Sequence, residues 1–536
     1  MISFCWKYIR KAKVVLGIYT VLIIFEGAIN IVIPILTGKI IDVIGQLRDL
    51  DLLILLCCIY LGIQIFVKIS NFFSFYSLMR LQTFCAFELN ENVIKHIQNL
   101  SISEVEKFDY GYLSQRVNND SNTVITLTIT LLTQLPINIL IMLIIVAMLL
   151  YIDMGISFFL IVIAIIYFFL YLGFRKKVYN MSYVYKERQN KFFSILLEQL
   201  EKVKFIKLHS LVDIYNDKLK KEFKAFWNDT KKTQLFFFLY SNMYSCIMIV
   251  SQIIVYFWGG IQVIQGNITI GTLILIIGFF QSILKSITYI SDFTKQYQDG
   301  KVSYYRLMEI LEMQEENNGS LVLDNIEKLE CNDLLVTRGE NKTVENLTCT
   351  FRKGELYCIV GKNGSGKTTL VEALVGLFID EYKGEIKLND IEIRRVDMKK
   401  MRYKKISILE QIPQLIADNI YENIFITDMH KCENVNNYIK EGIFIKGKKI
   451  FDKEKKISGL SGGEIQKVAL LRTLSKKADI YIFDEGNSAL DTKGKKIFSQ
   501  VLQEIKKNSI VLVVSHDEAF INISDHIVDL DNNNIF

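Results

Sequence analysis

The run Gly361-Lys362-Asn363-Gly364-Ser365-Gly366-Lys367-Thr368 decides what the second half of this chain is. It satisfies the G-x-x-x-x-G-K-[ST] pattern in full, and its flanks agree: residues 356–360 read as a buried strand and residues 369–376 as a helix beginning at Thr369. A glycine-rich turn between a strand and a helix N-terminus presents backbone N–H groups to phosphate oxygens. The Lys367 ammonium can reach the β- and γ-phosphates and the Thr368 hydroxyl can bind Mg²⁺. Further on, the buried-strand run Ile480-Tyr481-Ile482-Phe483 ends in Asp484 and Glu485. Beside a phosphate loop, one carboxylate can hold Mg²⁺ through water, and the next can orient and deprotonate the attacking water. Around these motifs the chain alternates short β-rich runs with helical patterns, as an α/β domain does.

The first half is written for a different solvent. Six apolar stretches, residues 14–36, 52–75, 124–152, 155–174, 235–265 and 271–290, are each long enough to cross a bilayer core, which takes roughly 20 helical residues. The apolar run after the basic residues 7–13 is too long for a signal-peptide core, so the first stretch counts as a helix. Lys and Arg near span ends stay cytoplasmic. Residues 175–234 are rich in them, whereas the short connections 151–154 and 265–270 contain none. Both termini and both long loops are therefore expected on the cytoplasmic side of a multi-pass protein in the cell membrane. The long loops read as helical extensions, because Leu89, Val93, Ile97 and Leu100 recur at helical spacing, as do Phe192, Ile195, Leu196 and Gln199. The predicted fold class is a membrane α-helical domain followed by an α/β P-loop ATPase domain. Its predicted divisions are 1–312 for the membrane domain, 313–320 for a linker and 321–536 for the ATPase.

Composition narrows the classes further. Of 536 residues 51% are hydrophobic and 22% charged, with three prolines, which excludes disordered and collagen-like chains. A net charge of +6 over this length is explained by loop lysines, and no nucleic-acid partner is expected. Nine scattered cysteines without a CxxC argue against a disulfide framework and a metal site.

Directly ahead of a helical pattern over residues 465–474 stands Leu460-Ser461-Gly462-Gly463-Glu464. A Ser-Gly-Gly turn opening a helix offers N–H donors to phosphate, although a helix cap with no ligand reads the same locally. With this run in place, the second half resembles the nucleotide-binding domain of ATP-binding cassette (ABC) proteins, whose signature is L-S-G-G-Q/E. The other elements follow in the family's order. They are Gln411 within Ile408-Leu409-Glu410-Gln411 as the Q-loop, Ser488-Ala489-Leu490-Asp491 as the D-loop, and Ser515-His516-Asp517 as the switch histidine. The first half resembles the transmembrane domain of ABC exporters. The resemblance is carried by Pro34-Ile35-Leu36-Thr37-Gly38-Lys39-Ile40-Ile41-Asp42 and by Phe108-Asp109-Tyr110-Gly111-Tyr112-Leu113-Ser114-Gln115-Arg116 in the first inside loop.

That resemblance implies half of a transporter. Its partners would be a second half-transporter, expected to be an identical copy, the membrane lipids and a transported substrate. Two ATP molecules would lie between the loop from Gly361 to Thr369 of one subunit and Leu460, Ser461, Gly462, Gly463 and Glu464 of the other. Thr368, Gln411 and Asp484 would hold Mg²⁺, Glu485 would activate water and His516 would contact the γ-phosphate. The inside-loop tips, near residues 108–116 and 208–219, would couple the ATPase to alternating access. Three departures stand out. Residues 335–339 lack the family's adenine-stacking aromatic, where Arg338 could either stack or stay solvated. Residues 453–458 lack the usual Gly-Glu pattern, and the chain stops about 20 residues after His516.

The cargo is less legible. Glu26, Asn30, Gln64, Lys68, Gln134, Asn138 and Lys285 lie within spans, where polar groups are costly unless they face a cavity or one another. They are candidate substrate contacts, with mutual pairing or snorkelling as the other reading. Cys5 sits only a few residues from the start, so no cysteine-peptidase domain is expected ahead of the first helix. Family analogy points to ATP-driven export of a peptide, bacteriocin-like in kind. A lipid or amphipathic-drug exporter or flippase and a non-transporting ABC regulator are the alternatives.

Overall fold

The long apolar stretches fold as helices because, in hydrocarbon, a helix is one of the few structures that satisfies every backbone group within the segment. A computed structural model of the chain describes residues 1–108, 113–114, 116–338, 341–416, 419–426, 460–486, 490–531 and 534–535. Two units result: Met1–Lys95 with Tyr110–Glu312, and His96–Asp109 with Met313–Phe536.

The first unit is helical. Its long helices are Lys13–Asp42, Leu50–Asn99, Met154–Glu201, Val212–Ile264 and Ile270–Leu311. Two further segments, Ser121–Leu132 and Gln134–Ile152, meet at Thr133. Thr133 leaves helical geometry just ahead of Pro136, which lacks a donor, and its hydroxyl bonds the Ile129 carbonyl at 2.7 Å. Among the described residues, five stretches are long and apolar enough to cross a membrane: Ile2–Leu47, Leu50–Asn99, Arg116–Ile152, Val212–Ile264 and Ile270–Leu311. The remaining expected span, 155–174, lies on the Met154–Glu201 helix, where several side chains fall outside the described residues.

With lipid tails as apolar as leucine, these helices are held by close packing and hydrogen bonds. Gly38 and Gly271 let two backbones meet: a Cβ on Gly271 would lie 2.1 Å from the Gly38 carbonyl oxygen. Four residues on, the Asp42 carboxylate accepts from the Gly271 N–H at 2.8 Å and the Thr269 hydroxyl at 2.8 Å, capping the Ile270–Leu311 helix. The second inside loop turns through a short helix, Val203–Leu208, and reverses at Ser210, whose φ is +53°. That reversal falls at the start of the expected 208–219, most of which already belongs to the Val212–Ile264 helix. In the first inside loop a short helix, Ile102–Glu106, precedes residues 109–112 and 115, which lie outside the described residues.

The second unit has two sheets. Strands β1 (Lys328–Arg338), β2 (Asn341–Arg352), β4 (Tyr382–Leu388) and β5 (Ile391–Glu392) make an antiparallel sheet in the order β2-β1-β4-β5. The other contains β3 (Leu356–Val360), β6 (Ile406–Leu409), β7 (Ile480–Asp484), β8 (Ile510–Val514), β9 (His526–Asp529) and β10 (Asn534–Ile535). Its order is β10-β9-β3-β8-β7-β6, parallel except for β10. A parallel sheet is covered on both faces, which is why these strands read as unbroken apolar runs. Alternation still sorts the side chains. Ile480, Ile482, Ile510, Leu512 and Val514 pack on one face, and Tyr481, Phe483, Val511 and Val513 on the other.

Residues 313–320, read as a linker, are fastened to this second unit. Arg402 donates to the Glu316 carboxylate at 2.6 Å, and Asn318 to Asp397 at 2.8 Å. The Glu316 N–H donates to the Asn99 carbonyl at 2.8 Å, which holds the 96–109 segment to the same unit. Asp397 also caps the Met398–Lys404 helix, accepting from the Lys400 N–H at 3.1 Å. Hydrogen bonds from the Lys400 ammonium and then from Asn318 hold its carboxyl at about 2, below the usual 3.8. This contribution is complete above pH 3.8 and is lost as pH falls through about 2. Asp397→Ala is expected to destabilise this unit by about 1 kcal/mol, while Asp397→Asn keeps the cap and most of the stability. Scanning calorimetry of the intact protein at neutral pH checks this.

Candidate functional site

Parallel register brings four strand ends to one edge. Ile359 pairs with Val514, Asp484 with Val514, and Leu409 with Phe483, so β3, β8, β7 and β6 finish side by side. In open α/β sheets ligands bind outside these carboxyl ends. β3 runs into the glycine loop, β7 into Glu485, β8 into Ser515 and His516, and β6 into Glu410 and Gln411.

The loop turns through Gly364 at φ +84° and Gly366 at φ +88°, a left-handed region open to glycine, before the Lys367–Leu374 helix. Lys362, Asn363 and Gly364 form its exposed crest. Lys367 is buried, and its ammonium donates to the carbonyls of Gly361 at 2.7 Å and Lys362 at 2.9 Å, inside the curve of the loop. The Ser365 hydroxyl is buried there with no partner among the described residues. The Lys362 N–H donates to the Asp531 carboxylate at 3.0 Å, a tie to the end of the chain that no sequence motif announces. Thr369 is buried in the helix's first turn.

The Thr368 hydroxyl donates to Asp484 Oδ2 at 2.8 Å. Burial pushes the Asp484 carboxyl up; the Thr368 bond and Lys367 oppose that, and the Glu485 charge adds to it. A buried carboxylate disfavoured as an anion beside a hydroxyl is an oxygen donor set of the kind that Mg²⁺ takes. Glu485 itself is half-buried, with φ +51°. Holding a non-glycine residue there costs about 1 kcal/mol, and its N–H is fixed to the Val514 carbonyl at 3.1 Å. Ser515 is buried, with its N–H directed to Ile359 at 3.4 Å, while His516 and Gln411 are exposed at the same edge.

The signature lies elsewhere. Ser461 opens the Gly462–Ser475 helix with a reciprocal cap: its N–H donates to Glu464 Oε2 at 2.8 Å, and its hydroxyl accepts from the Glu464 N–H at 3.3 Å. Ser461 and Gly462 are exposed; Leu460, Gly463 and Glu464 are half-buried. This helix buries Val468, Leu471 and Leu474 with Tyr481 and Phe483, whereas the Lys367–Leu374 helix buries Leu370 and Leu374 with Ile480 and Ile482. The signature helix and the glycine-loop helix therefore cover opposite faces of one sheet. Asp491 caps the Thr492–Ile505 helix, accepting from the Gly494 N–H at 2.8 Å. Ser488, Ala489, Gly339, residues 453–458 and the Arg338 side chain lie outside the described residues.

In the first unit, Glu26, Asn30, Gln134 and Asn138 line a cavity of about 370 Å³ with Tyr19 and Tyr289. Gln134 donates to the Tyr19 hydroxyl at 2.6 Å and accepts from that of Tyr289 at 2.9 Å. Gln64 is half-buried and Lys68 and Lys285 are exposed, so the structure does not gather them with the others. Sequence reading passed over Tyr19, although it precedes Glu26 and Asn30 on one helical face.

The family described as "ABC transporter transmembrane region" matches residues 16–287, and that described as "ABC transporter" matches residues 344–488. The "Subtilin transport ATP-binding protein SpaT" of Bacillus subtilis is 27% identical over 96% of this chain and 86% of its own length. An "ATP-dependent lipid A-core flippase" of Vibrio vulnificus (strain CMCP6) is 23% identical over 99% and 93%. Among solved structures, a bacterial Atm1-family ABC exporter with ATP bound superposes with a TM-score of 0.82 at 18% identity, covering 97% of this chain and 93% of that one. Gly366→Ala is expected to lower affinity for a fluorescent ATP analogue about tenfold, because the side chain disfavours the φ that aims the loop's N–H groups. Titration of the purified protein reads this.

Proposed function

Since the chain belongs to the ABC transporter family, with a multi-pass membrane region and an ATPase domain, we propose that it is half of an ATP-driven peptide exporter working as a dimer of identical copies. The observation that carries the dimer is the separation of signature and glycine loop on opposite faces of the sheet. A chain arranged this way needs a second copy to bring Ser461, Gly462 and Gly463 to its nucleotide. The peptide cargo is supported by the subtilin transport relative, which aligns with 96% of the chain.

In this reading the domains run 1–312 and 321–536, the joining segment is 313–320, and both termini are cytoplasmic. The loop from Gly361 to Thr369 holds the phosphates, and Lys367 swings from its carbonyl bonds to the γ-phosphate. Thr368, Gln411 and Asp484 would hold Mg²⁺, which supplies positive charge against the phosphates' developing negative charge. Glu485, fixed at the end of β7, takes the proton of the attacking water, and His516 at the neighbouring strand end positions the γ-phosphate. Asp491 and the trans signature close the site. ATP favours the closed dimer, hydrolysis releases it, and the difference in ATP affinity between the two states drives the membrane half from inward- to outward-facing.

Glu485→Gln is expected to lower ATP turnover by about 100-fold or more while ATP binding is retained. Turnover at the wild-type rate would remove Glu485 from the role of base. In sealed inside-out vesicles, the wild-type chain is expected to accumulate a fluorescent peptide only with ATP. Ligand-stimulated hydrolysis with no movement of any cargo would favour a regulator instead.

A further inference from the structure

We propose that the cavity around Glu26 receives a positively charged amine of the cargo, either a lysine side chain or a peptide's amino terminus. This rests on the export reading and adds the chemistry of what is recognised. Glu26 lies in the Lys13–Asp42 helix, inside a membrane span, where a carboxylate is costly and functional by default. Its partners are neutral. The Ser70 hydroxyl donates to Oε1 at 3.3 Å, Asn71, with its amide nitrogen turned inward, reaches Oε1 at 3.1 Å and Oε2 at 3.2 Å, and the Ser74 hydroxyl is a third neutral partner. Among the described residues no Lys, Arg or His forms an ion pair with it, and none lines the cavity. Lys68 and Lys285, cations within the spans, are exposed and do not line it.

The rest of the lining suits an ammonium group. A carboxylate offers about four acceptor positions; Ser70, Ser74 and Asn71 occupy them with neutral donors that leave the negative charge unpaired, so an ammonium would take the place of one of them. Tyr19, Tyr289 and Gln134, joined by hydrogen bonds, supply a polar part of the same lining. Phenol rings add attraction for a cation within reach of their faces. A volume of about 370 Å³ is at the small end of ligand sites and fits one side chain or terminus of a longer cargo. An anionic head-group would meet a carboxylate and no cation there.

The test uses the full chain in lipid nanodiscs without nucleotide. Its probes are a short fluorescent amphipathic peptide with free lysines and the same peptide with every amine acetylated, each corrected for binding to empty nanodiscs. The lysine peptide is expected to bind at least about tenfold more tightly, the preference to fall to within about twofold in Glu26→Gln, and a clear preference to remain in Glu26→Asp. Binding of an ATP analogue by each variant reports that it is folded. Equal binding of both peptides by the wild-type chain overturns the proposal without reliance on any variant. So does an undiminished preference in a Glu26→Gln chain that still binds nucleotide. In sealed vesicles, equal ATP-driven movement of both peptides overturns the amine site and leaves the export reading standing. No ATP-driven movement of either peptide overturns the export reading itself.

Discussion

The parallel register of β3, β8, β7 and β6 is the constraint on which the rest of the nucleotide chemistry depends. Each strand is only four or five residues long, yet its last residue decides which group stands at the common edge. A slip of one residue would exchange the two faces of a strand, sending Phe483 and Tyr481 to the side of Ile480 and Ile482. The apolar cover on both faces forbids this. The Thr368 to Asp484 hydrogen bond and the strained φ of Glu485 are consequences of that fixed edge. The same two-sided burial puts the signature helix and the glycine-loop helix on opposite faces, the observation on which the proposed pairing of two copies rests.

The membrane half obeys a different rule. Its outward faces carry apolar side chains that packing does not bury, so specificity comes from small residues and from polar groups with partners. Gly38 against Gly271 and Asp42 over the start of the Ile270–Leu311 helix join two spans at one end. Glu26, Gln134, Tyr19 and Tyr289 occupy the same bundle, but they enclose space. Packing fixes the helices, and the cavity is where packing is withheld.

The glycine loop was fully legible in the sequence, because positive φ at Gly364 and Gly366 leaves glycine as the ready choice and chemistry fixes Lys367 and Thr368 beside them. The strand ends at Asp484 and Val514 were legible for a related reason: apolar runs stop where solvent and ligand begin. The fastening of residues 313–320 was not, since Glu316 and Asn318 look like ordinary linker residues until Arg402 and Asp397 face them. Which residue turns the second inside loop was not legible within 208–219, because a serine at positive φ, here Ser210, leaves no mark in a hydrophobic pattern. Tyr19 and Tyr289 read as two aromatic residues among many in apolar helices; only tertiary contact with Gln134 distinguishes them.

The central claim is that each nucleotide site is completed by a second copy, and a cross-link between positions 461 and 363 tests it most directly. Both residues are exposed, Ser461 at the signature and Asn363 at the crest of the loop. The chain would carry Ser461→Cys, Asn363→Cys and Glu485→Gln, with Cys57, Cys58, Cys246 and Cys432 replaced, and would be treated with a short bifunctional thiol reagent in lipid bilayers. The account predicts a product of twice the chain mass on a denaturing gel, formed with ATP and absent without it. A cross-link that leaves the mass at that of one chain, or no product with ATP, would contradict it.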